Sequence, residues 1–178
     1  MVKSFTDYSV MINVFQVVIF GGRITNEMRV CMNNLLAKKI EEIMKQYDDF
    51  MDFIVPETLY SQMVKESSNT IAQHLRCIIT GRISMIECFL ENKPFAWKVS
   101  IPFEELYDYP KLKQSMSDSH QKLLKVLMTC ELTVDQEEIL FDMITHEYMH
   151  QGQLIRYLVY HDLGYPPTWD RKWYLSDD

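Results

Sequence analysis

Glycine and proline are scarce in this sequence, with 5 glycines and 6 prolines among 178 residues. An all-β sandwich or barrel needs turns at short, regular intervals, and so few turn residues do not supply them. The 12 methionines and the long stretches of Leu, Ile, Lys and Glu favour helices instead. We therefore predict an all-α fold, and at this length we expect a single domain over residues 1–178.

Cysteine is also sparse, with 4 residues in the chain, Cys31, Cys77, Cys88 and Cys130. None of them forms a CxxC pair, so neither a zinc ribbon nor a dense disulfide framework is indicated. A reducing, cytoplasmic location is the expectation that fits this pattern. A chain of this length buries enough apolar surface to fold without disulfide or metal staples, so we expect any bound metal to serve function.

The chain also lacks a long apolar run and an excess of basic residues. The longest apolar run, from Val10 to Phe20, is interrupted by Asn13 and Gln16, and it is shorter than the roughly 20 residues that a membrane span requires. The 18 Lys and Arg against 25 Asp and Glu give a formal charge of -7, which opposes binding to nucleic acid or anionic lipid. We expect neither a membrane nor a nucleic-acid partner.

The spacing of apolar residues and of helix-capping residues predicts four long helices. We place them from Thr25 or Asn26 to about Phe53, from about Ser67 to about Leu90, from about Lys111 to Cys130, and from about Val134 to Leu163. Prolines between the second and the third helix interrupt helical structure, so that stretch is a long crossover connection. This arrangement predicts a four-helix bundle, preceded by an extra short apolar helix from about Tyr8 to Phe20.

The strongest local motif is His146-Glu147-Tyr148-Met149-His150 in the fourth helix. Residues four apart lie on one face of a helix, with Cβ atoms about 5 to 6 Å apart, so the two imidazoles can bind one metal ion. As ordinary core residues, two adjacent buried imidazoles would each need a hydrogen-bond partner and would repel each other when protonated. We therefore predict that His146 and His150 are metal ligands.

The same five residues match HExxH, the zinc-peptidase pattern in which the glutamate is the general base. A peptidase of this kind also needs a third ligand downstream, either a histidine in an HxxGxxH continuation or a later glutamate. Gln151-Gly152-Gln153 follows His150, and no glutamate occurs after Glu147. A zinc peptidase is therefore the less favoured alternative, and Glu147 is kept as a candidate catalytic residue.

The second helix offers a third ligand on a face of small and polar residues. Spacings of 4, 3, 4, 3 and 4 residues place on this face Thr70, His74, Cys77, Gly81, Ser84 and Cys88. Close packing against another helix would also use such small residues, and it does not exclude ligation. His74 and Cys77 are one turn apart, so spacing alone does not choose between them.

Three further parts of the sequence form a recognisable set of motifs. They are His146 and His150 followed by Gln151-Gly152-Gln153, the ending Leu163-Gly164-Tyr165-Pro166-Pro167-Thr168-Trp169 with Lys172-Trp173-Tyr174-Leu175, and the helix start Asn69-Thr70-Ile71-Ala72. Together they resemble the DinB/YfiT-like family of metal-dependent enzymes. The first is similar to the family's paired histidines on its last long helix, and the second to the ending of one branch. The resemblance covers about residues 23–175 and implies the DinB-like bundle and a homodimer.

The resemblance also implies a bound divalent ion, zinc or nickel, and a reaction on an unidentified small molecule. Hydrolysis and transfer of a low-molecular-weight thiol are both found among such relatives, and a non-catalytic metal-binding or stress-response bundle is the alternative. Counting from Thr70, the family's third histidine falls on Cys77. Because that third ligand is an imidazole in the family, we predict His74 as the third ligand, with Cys77 as the competing one.

Overall fold

The computed structural model describes residues 26–63 and 68–175, and these ranges are all-helical, which confirms the predicted fold class. The α-helices in them are α1 (Asn26–Phe53), α2 (Ile71–Glu91), α3 (Tyr109–Thr129), α4 (Val134–Tyr160) and α5 (Pro167–Trp173), with short 3₁₀ helices at Pro56–Tyr60 and Phe103–Glu105. None of the helices in these ranges is long and apolar enough to cross a bilayer. The short helix predicted over Tyr8 to Phe20 lies outside the described residues.

Contacts within the chain divide it into two compact units, residues 1–38 and residues 39–178. The candidate metal ligands and the buried side chains that surround them belong to the second unit. A single domain over the whole chain stays a prediction.

From residue 39 onward, α1 presents one apolar face to the core of the second unit. The buried apolar side chains of this face recur every three or four residues, and they are Ile40, Ile43, Met44, Tyr47, Phe50 and Met51. Glu41 and Glu42 on the other side are exposed. This division is the one that an amphipathic helix produces.

Trp169 of α5 completes this core, and it is fully buried. Its ring stacks on Phe50 with centroids 4.8 Å apart, and its indole N–H donates to the backbone carbonyl of Gln46 at 2.8 Å. The pair Pro166-Pro167 predicts only a helix stop, yet α5 begins at Pro167. Proline is favoured at the first position of a helix because no intrahelical bond needs its missing N–H there.

Capping boxes begin the two helices that carry the candidate ligands. The Thr70 hydroxyl accepts from the backbone N–H of Gln73 at 3.2 Å, and the Gln73 side chain accepts from the Thr70 N–H at 2.7 Å. Thr133 and Gln136 repeat the arrangement at the start of α4, at 3.3 and 3.0 Å. Each box satisfies two backbone N–H groups that the helix itself leaves unpaired.

Helix α4 ends at Tyr160, so the predicted end at Leu163 is wrong by three residues. Asp162 has a φ of 52° and Gly164 a φ of 71°, and both values lie in the left-handed region, outside the α-helix. Aspartate tolerates that region better than most residues. The helix therefore ends before the glycine that marks its end in the sequence.

Helix α2 packs along both α3 and α4, and polar contacts join α1 to the same two helices. The Tyr47 hydroxyl of α1 donates to the backbone carbonyl of Glu147 in α4 at 2.6 Å. On the other side, Nδ1 of His120 in α3 lies 2.9 Å from a carboxylate oxygen of Asp48. The long connection between α2 and α3 contains the short 3₁₀ helix and no α-helix, as its prolines predict.

We predict that Thr133→Ala lowers the free energy of unfolding by about 1 kcal/mol, because it removes the acceptor of the α4 capping box. Denaturation by urea, followed by circular dichroism, measures the change. Thr145→Ala is the matched control: Thr145 is exposed in the middle of the same helix, where alanine is the better helix former. An equal loss in both variants would contradict the capping role.

Candidate metal centre

Two imidazoles and one thiol converge between α2 and α4. Nε2 of His146 lies 3.0 Å from Nε2 of His150 and 3.5 Å from Sγ of Cys77. One ligand atom from each of the three residues lies within 4.8 Å of the other two. The structure thus brings the predicted histidine pair together with a cysteine of the small-residue face of α2.

The two separations that involve His146 are close to those of ligands around one tetrahedral ion. With metal–nitrogen bonds of about 2.05 Å and a metal–sulfur bond of about 2.3 Å, two nitrogens stand about 3.3 Å apart, and nitrogen and sulfur about 3.6 Å. The observed contacts of His146 are 3.0 Å to nitrogen and 3.5 Å to sulfur. Imidazole and thiolate are also the donor types that zinc and related transition metals prefer.

His74 lies on the opposite edge of the His150 ring. Its Nδ1 is 3.0 Å from Nδ1 of His150, whereas His150 turns its Nε2 toward His146. One nitrogen of an imidazole binds one ion, so His74 and His146 do not share an ion with His150 in this arrangement. The geometry groups Cys77, the competing candidate, with the histidine pair, and His74 as the third ligand stays a prediction.

Burial governs the protonation of this group. It lowers the pKa of His74 and of His146, and it lowers the pKa of His150 to about 3, where repulsion from the two other rings adds to it. Burial also raises the pKa of the Cys77 thiol. The imidazoles are therefore neutral at neutral pH, which is the form that binds metal, and the thiol gives up its proton when a metal binds.

Glu147, the glutamate of the HExxH motif, forms a buried ion pair with Arg82 of α2. Nε and Nη2 of Arg82 donate to the two carboxylate oxygens of Glu147 at 2.7 Å each, and the side chains are 0% and 5% exposed. Burial lowers the pKa of Arg82, but the charge and hydrogen bonds of Glu147 outweigh it and raise that pKa. A general-base role for Glu147 stays a prediction, and here both of its oxygens accept from Arg82.

Arg82 belongs to the site but is not among the residues predicted from the sequence, although the helical pattern contains a signal for it. The apolar stripe of α2 has spacings of 4, 3, 4, 3 and 4 if one charged residue is included, and its members are Ile71, Leu75, Ile78, Arg82, Met85 and Phe89. A charged residue on an apolar stripe is buried only with a partner. That partner lies on another helix, so the sequence does not reveal which carboxylate it is.

The small-residue face of α2 serves two different contacts. In the N-terminal half of this face, His74 and Cys77 contact the histidines of α4. In the C-terminal half, the Ser84 hydroxyl accepts from the backbone N–H of Lys98 at 3.0 Å, and the Cys88 thiol donates to the carbonyl of Lys93 at 2.9 Å. Ser84 and Cys88, the last two residues of this face, therefore do not contribute to the candidate site.

Trp97, in the connection between α2 and α3, covers another side of His146. The two ring centroids are 5.4 Å apart, and the indole is 56% exposed. Gly81 permits this approach, because a Cβ at that position would lie 3.3 Å from the indole ring and 3.0 Å from Sδ of Met143. No periodic pattern marks a tryptophan in an irregular connection, so the sequence does not predict this contact.

A cavity of about 220 Å³ lies beside His74, away from the Cys77 and His146 side of the group. The residues that line it are Met63, Ser68, Asn69, His74, Gln153, Arg156 and Tyr157. The lining includes His74, its contact Tyr157, and Gln153, which hydrogen-bonds to His150. Cys77, His146 and His150 themselves are not among the lining residues.

The two other histidines of the chain take part in different contacts. His120 of α3 contacts Asp48, and His161 donates from Nε2 to the backbone carbonyl of Gln62 at 3.0 Å. Neither belongs to the group of Cys77, His146 and His150. His161 is therefore a suitable control position for tests of that group.

Comparison of the chain with protein-family models, with curated proteins and with solved structures gives no match. Fold and site together define its class: a protein that is all-helical over the described ranges, with a group of two histidines and a cysteine that could hold a metal ion. The resemblance to the DinB/YfiT-like family therefore stays a prediction from the sequence motifs.

We predict that Glu147→Gln lowers the free energy of unfolding by about 3 kcal/mol, because it leaves the charge of Arg82 buried without its counterion. The exposed pair of Glu87 with Lys98, at 3.0 Å, provides the control, and Glu87→Gln should change the stability by less than about 1 kcal/mol. Urea denaturation of both variants measures the difference. Equal losses of unfolding free energy in both variants would show that the buried pair stabilises the protein no more than a surface pair.

Proposed function

We propose that this protein is a divalent-metal-dependent enzyme of the DinB-like type, whose ion is held by Cys77, His146 and His150. The observation that carries the proposal is the convergence of these three ligand atoms within 4.8 Å of one another. Zinc and nickel are the expected ions, because both accept imidazole and thiolate donors.

The arrangement of α1 to α4 supports the four-helix bundle in this proposal. Helix α2 packs along α3 and α4, and α1 contacts α4 through Tyr47 and α3 through Asp48. The long connection between α2 and α3 corresponds to the crossover of such a bundle. Metal ligands that project inward from facing helices are typical of this architecture.

Three protein ligands favour a catalytic site over a purely structural one. Structural zinc sites are closed by four protein ligands, whereas catalytic sites keep one position open. Closing this site would require His74 as a fourth ligand, but His74 contacts the nitrogen of His150 that faces away from His146. This contact favours an enzyme over a non-catalytic metal-binding or stress-response bundle.

The ion, when bound, would supply an electrophilic centre that acidifies water or a thiol. The residues of this chain hold and shield that position. Cys77, His146 and His150 would provide the three donor atoms. Burial keeps the imidazoles neutral, and the Trp97 indole beside His146 limits the access of solvent from one side.

Of hydrolysis and transfer of a low-molecular-weight thiol, thiol transfer is the better supported reaction. A hydrolase of the HExxH type uses the glutamate to take a proton from water, and here both oxygens of Glu147 accept hydrogen bonds from Arg82. A thiol has a pKa of only about 8.5 before any metal binds it, so its activation needs no such carboxylate. The same pairing makes a peptidase the least favoured function.

We expect protein purified without an affinity tag to contain zinc or nickel, and His146→Ala or His150→Ala to reduce that metal to background. The fold should persist in both variants, because the core of a chain this long does not depend on the ion. Elemental analysis and far-ultraviolet circular dichroism measure the two properties. His161→Ala is the control and should keep its metal, whereas unchanged metal in both site variants would rule out the site.

Cobalt substitution tests whether Cys77 is a ligand. We expect the cobalt protein to show a sulfur-to-metal charge-transfer band, because a coordinating cysteine binds as the thiolate. At saturating cobalt the band should disappear in Cys77→Ser and remain in Cys130→Ser and His74→Ala. A wild-type spectrum without the band, together with loss of cobalt only in His74→Ala, would favour His74 as the third ligand.

A further inference from the structure

A chain of hydrogen bonds runs from the backbone of Asn69 through Tyr157 and His74 to His150. The Tyr157 hydroxyl donates to the carbonyl of Asn69 and lies 3.3 Å from Nε2 of His74. Nδ1 of His74 then lies 3.0 Å from Nδ1 of His150. His74, Tyr157 and His150 are all buried, and unpaired polar groups in such surroundings are costly.

The direction of each hydrogen bond follows from the number of protons available. A carbonyl oxygen only accepts, so the one hydroxyl proton of Tyr157 goes to Asn69, and the Tyr157 oxygen must accept from Nε2–H of His74. A neutral imidazole carries a single N–H, which leaves Nδ1 of His74 as an acceptor. His150 therefore donates its Nδ1–H to His74.

This assignment fixes the state of the nitrogen that faces the candidate metal position. With its proton on Nδ1, His150 has a free lone pair on Nε2, the atom 3.0 Å from Nε2 of His146. Turning the His150 ring over would place carbon atoms at both contacts and break both hydrogen bonds. In the metal-free protein Nε2–H of His146 can donate to that lone pair, and its Nδ1 indeed has no hydrogen-bond partner among the described residues.

We propose that His74 is a positioning residue, held by Tyr157, that keeps His150 in the tautomer and ring orientation required for metal binding through Nε2. The inference rests on the proposed metal function. Tyr157 is needed because its hydroxyl prevents the opposite tautomer of His74. In that tautomer Nδ1 of His74 would donate, the His150 proton would move to Nε2, and the ligand lone pair would be lost.

Outer hydrogen-bond partners of ligand histidines typically change metal affinity by 10- to 100-fold. We therefore expect Tyr157→Phe and His74→Leu each to weaken zinc binding by about 10- to 100-fold, measured by competition with a chromophoric chelator. His74→Gln should keep most of the affinity, because its amide oxygen can accept from Nδ1–H of His150. Tyr160→Phe is the matched control, since Tyr160 is exposed on the same helix.

The tautomer itself provides a readout that a purely structural role would not change. In metal-free protein labelled with ¹⁵N-histidine, two-bond ¹H–¹⁵N correlations should show the proton of His150 on Nδ1 in the wild type and in His74→Gln. They should show a mixture or the Nε2–H form in Tyr157→Phe and His74→Leu. Far-ultraviolet circular dichroism establishes that each variant is folded.

Two results would overturn the inference. One is the Nε2–H tautomer of His150 in the wild type. The other is unchanged zinc affinity in both His74→Leu and Tyr157→Phe. Failure of the wild type to bind zinc would instead defeat the proposed metal function, and the tautomer of His150 in the metal-free protein would still decide whether His74 directs it.

Discussion

The buried ion pair between Arg82 and Glu147 aligns helix α2 with helix α4, and the geometry of the candidate site depends on that alignment. Removing two charges from water costs several kcal/mol for each ion, and only a pair of good geometry offsets that cost. Here two parallel hydrogen bonds of 2.7 Å provide that geometry. Sliding α2 by one turn would separate the guanidinium from its carboxylate. Because Cys77 precedes Arg82 by five residues and His146 directly precedes Glu147, the same alignment sets the thiol beside the imidazoles.

Burial gives the group its suitability for a cation. It lowers the pKa of all three imidazoles, so they present lone pairs instead of positive charges, and the nearby ion pair of Arg82 and Glu147 has no net charge. A divalent ion with a thiolate ligand would then meet donors that do not repel it. The same burial makes the hydrogen bonds of His74 and Tyr157 important, since unpaired polar groups in such surroundings are costly.

The helices show how far local patterns reach. Helix α4 begins at Val134 as predicted, whereas α2 begins at Ile71, four residues after the predicted start near Ser67. Both starts carry a capping box, which is an interaction between residues three apart in the chain. Local patterns mislead where a residue has two local preferences, such as ending one helix or beginning the next. Asp162 adopts the left-handed conformation before Gly164 does, and Pro167 begins a helix where the proline pair suggests only an end. The core contacts of Trp169 decide that α5 packs against α1, and they involve residues far apart in sequence.

By itself the sequence determined the helical fold class and the shared face of His146 and His150, because helical periodicity alone relates residues a few positions apart. It limited the candidates for a third ligand to one face of α2. It could not choose between His74 and Cys77, because they lie one turn apart on that face. Only the tertiary structure decided that Cys77 meets Nε2 of the pair while His74 meets the other edge of His150. It also decided that Arg82 pairs with Glu147, because side-chain rotation and the alignment of two helices are set by packing between distant segments.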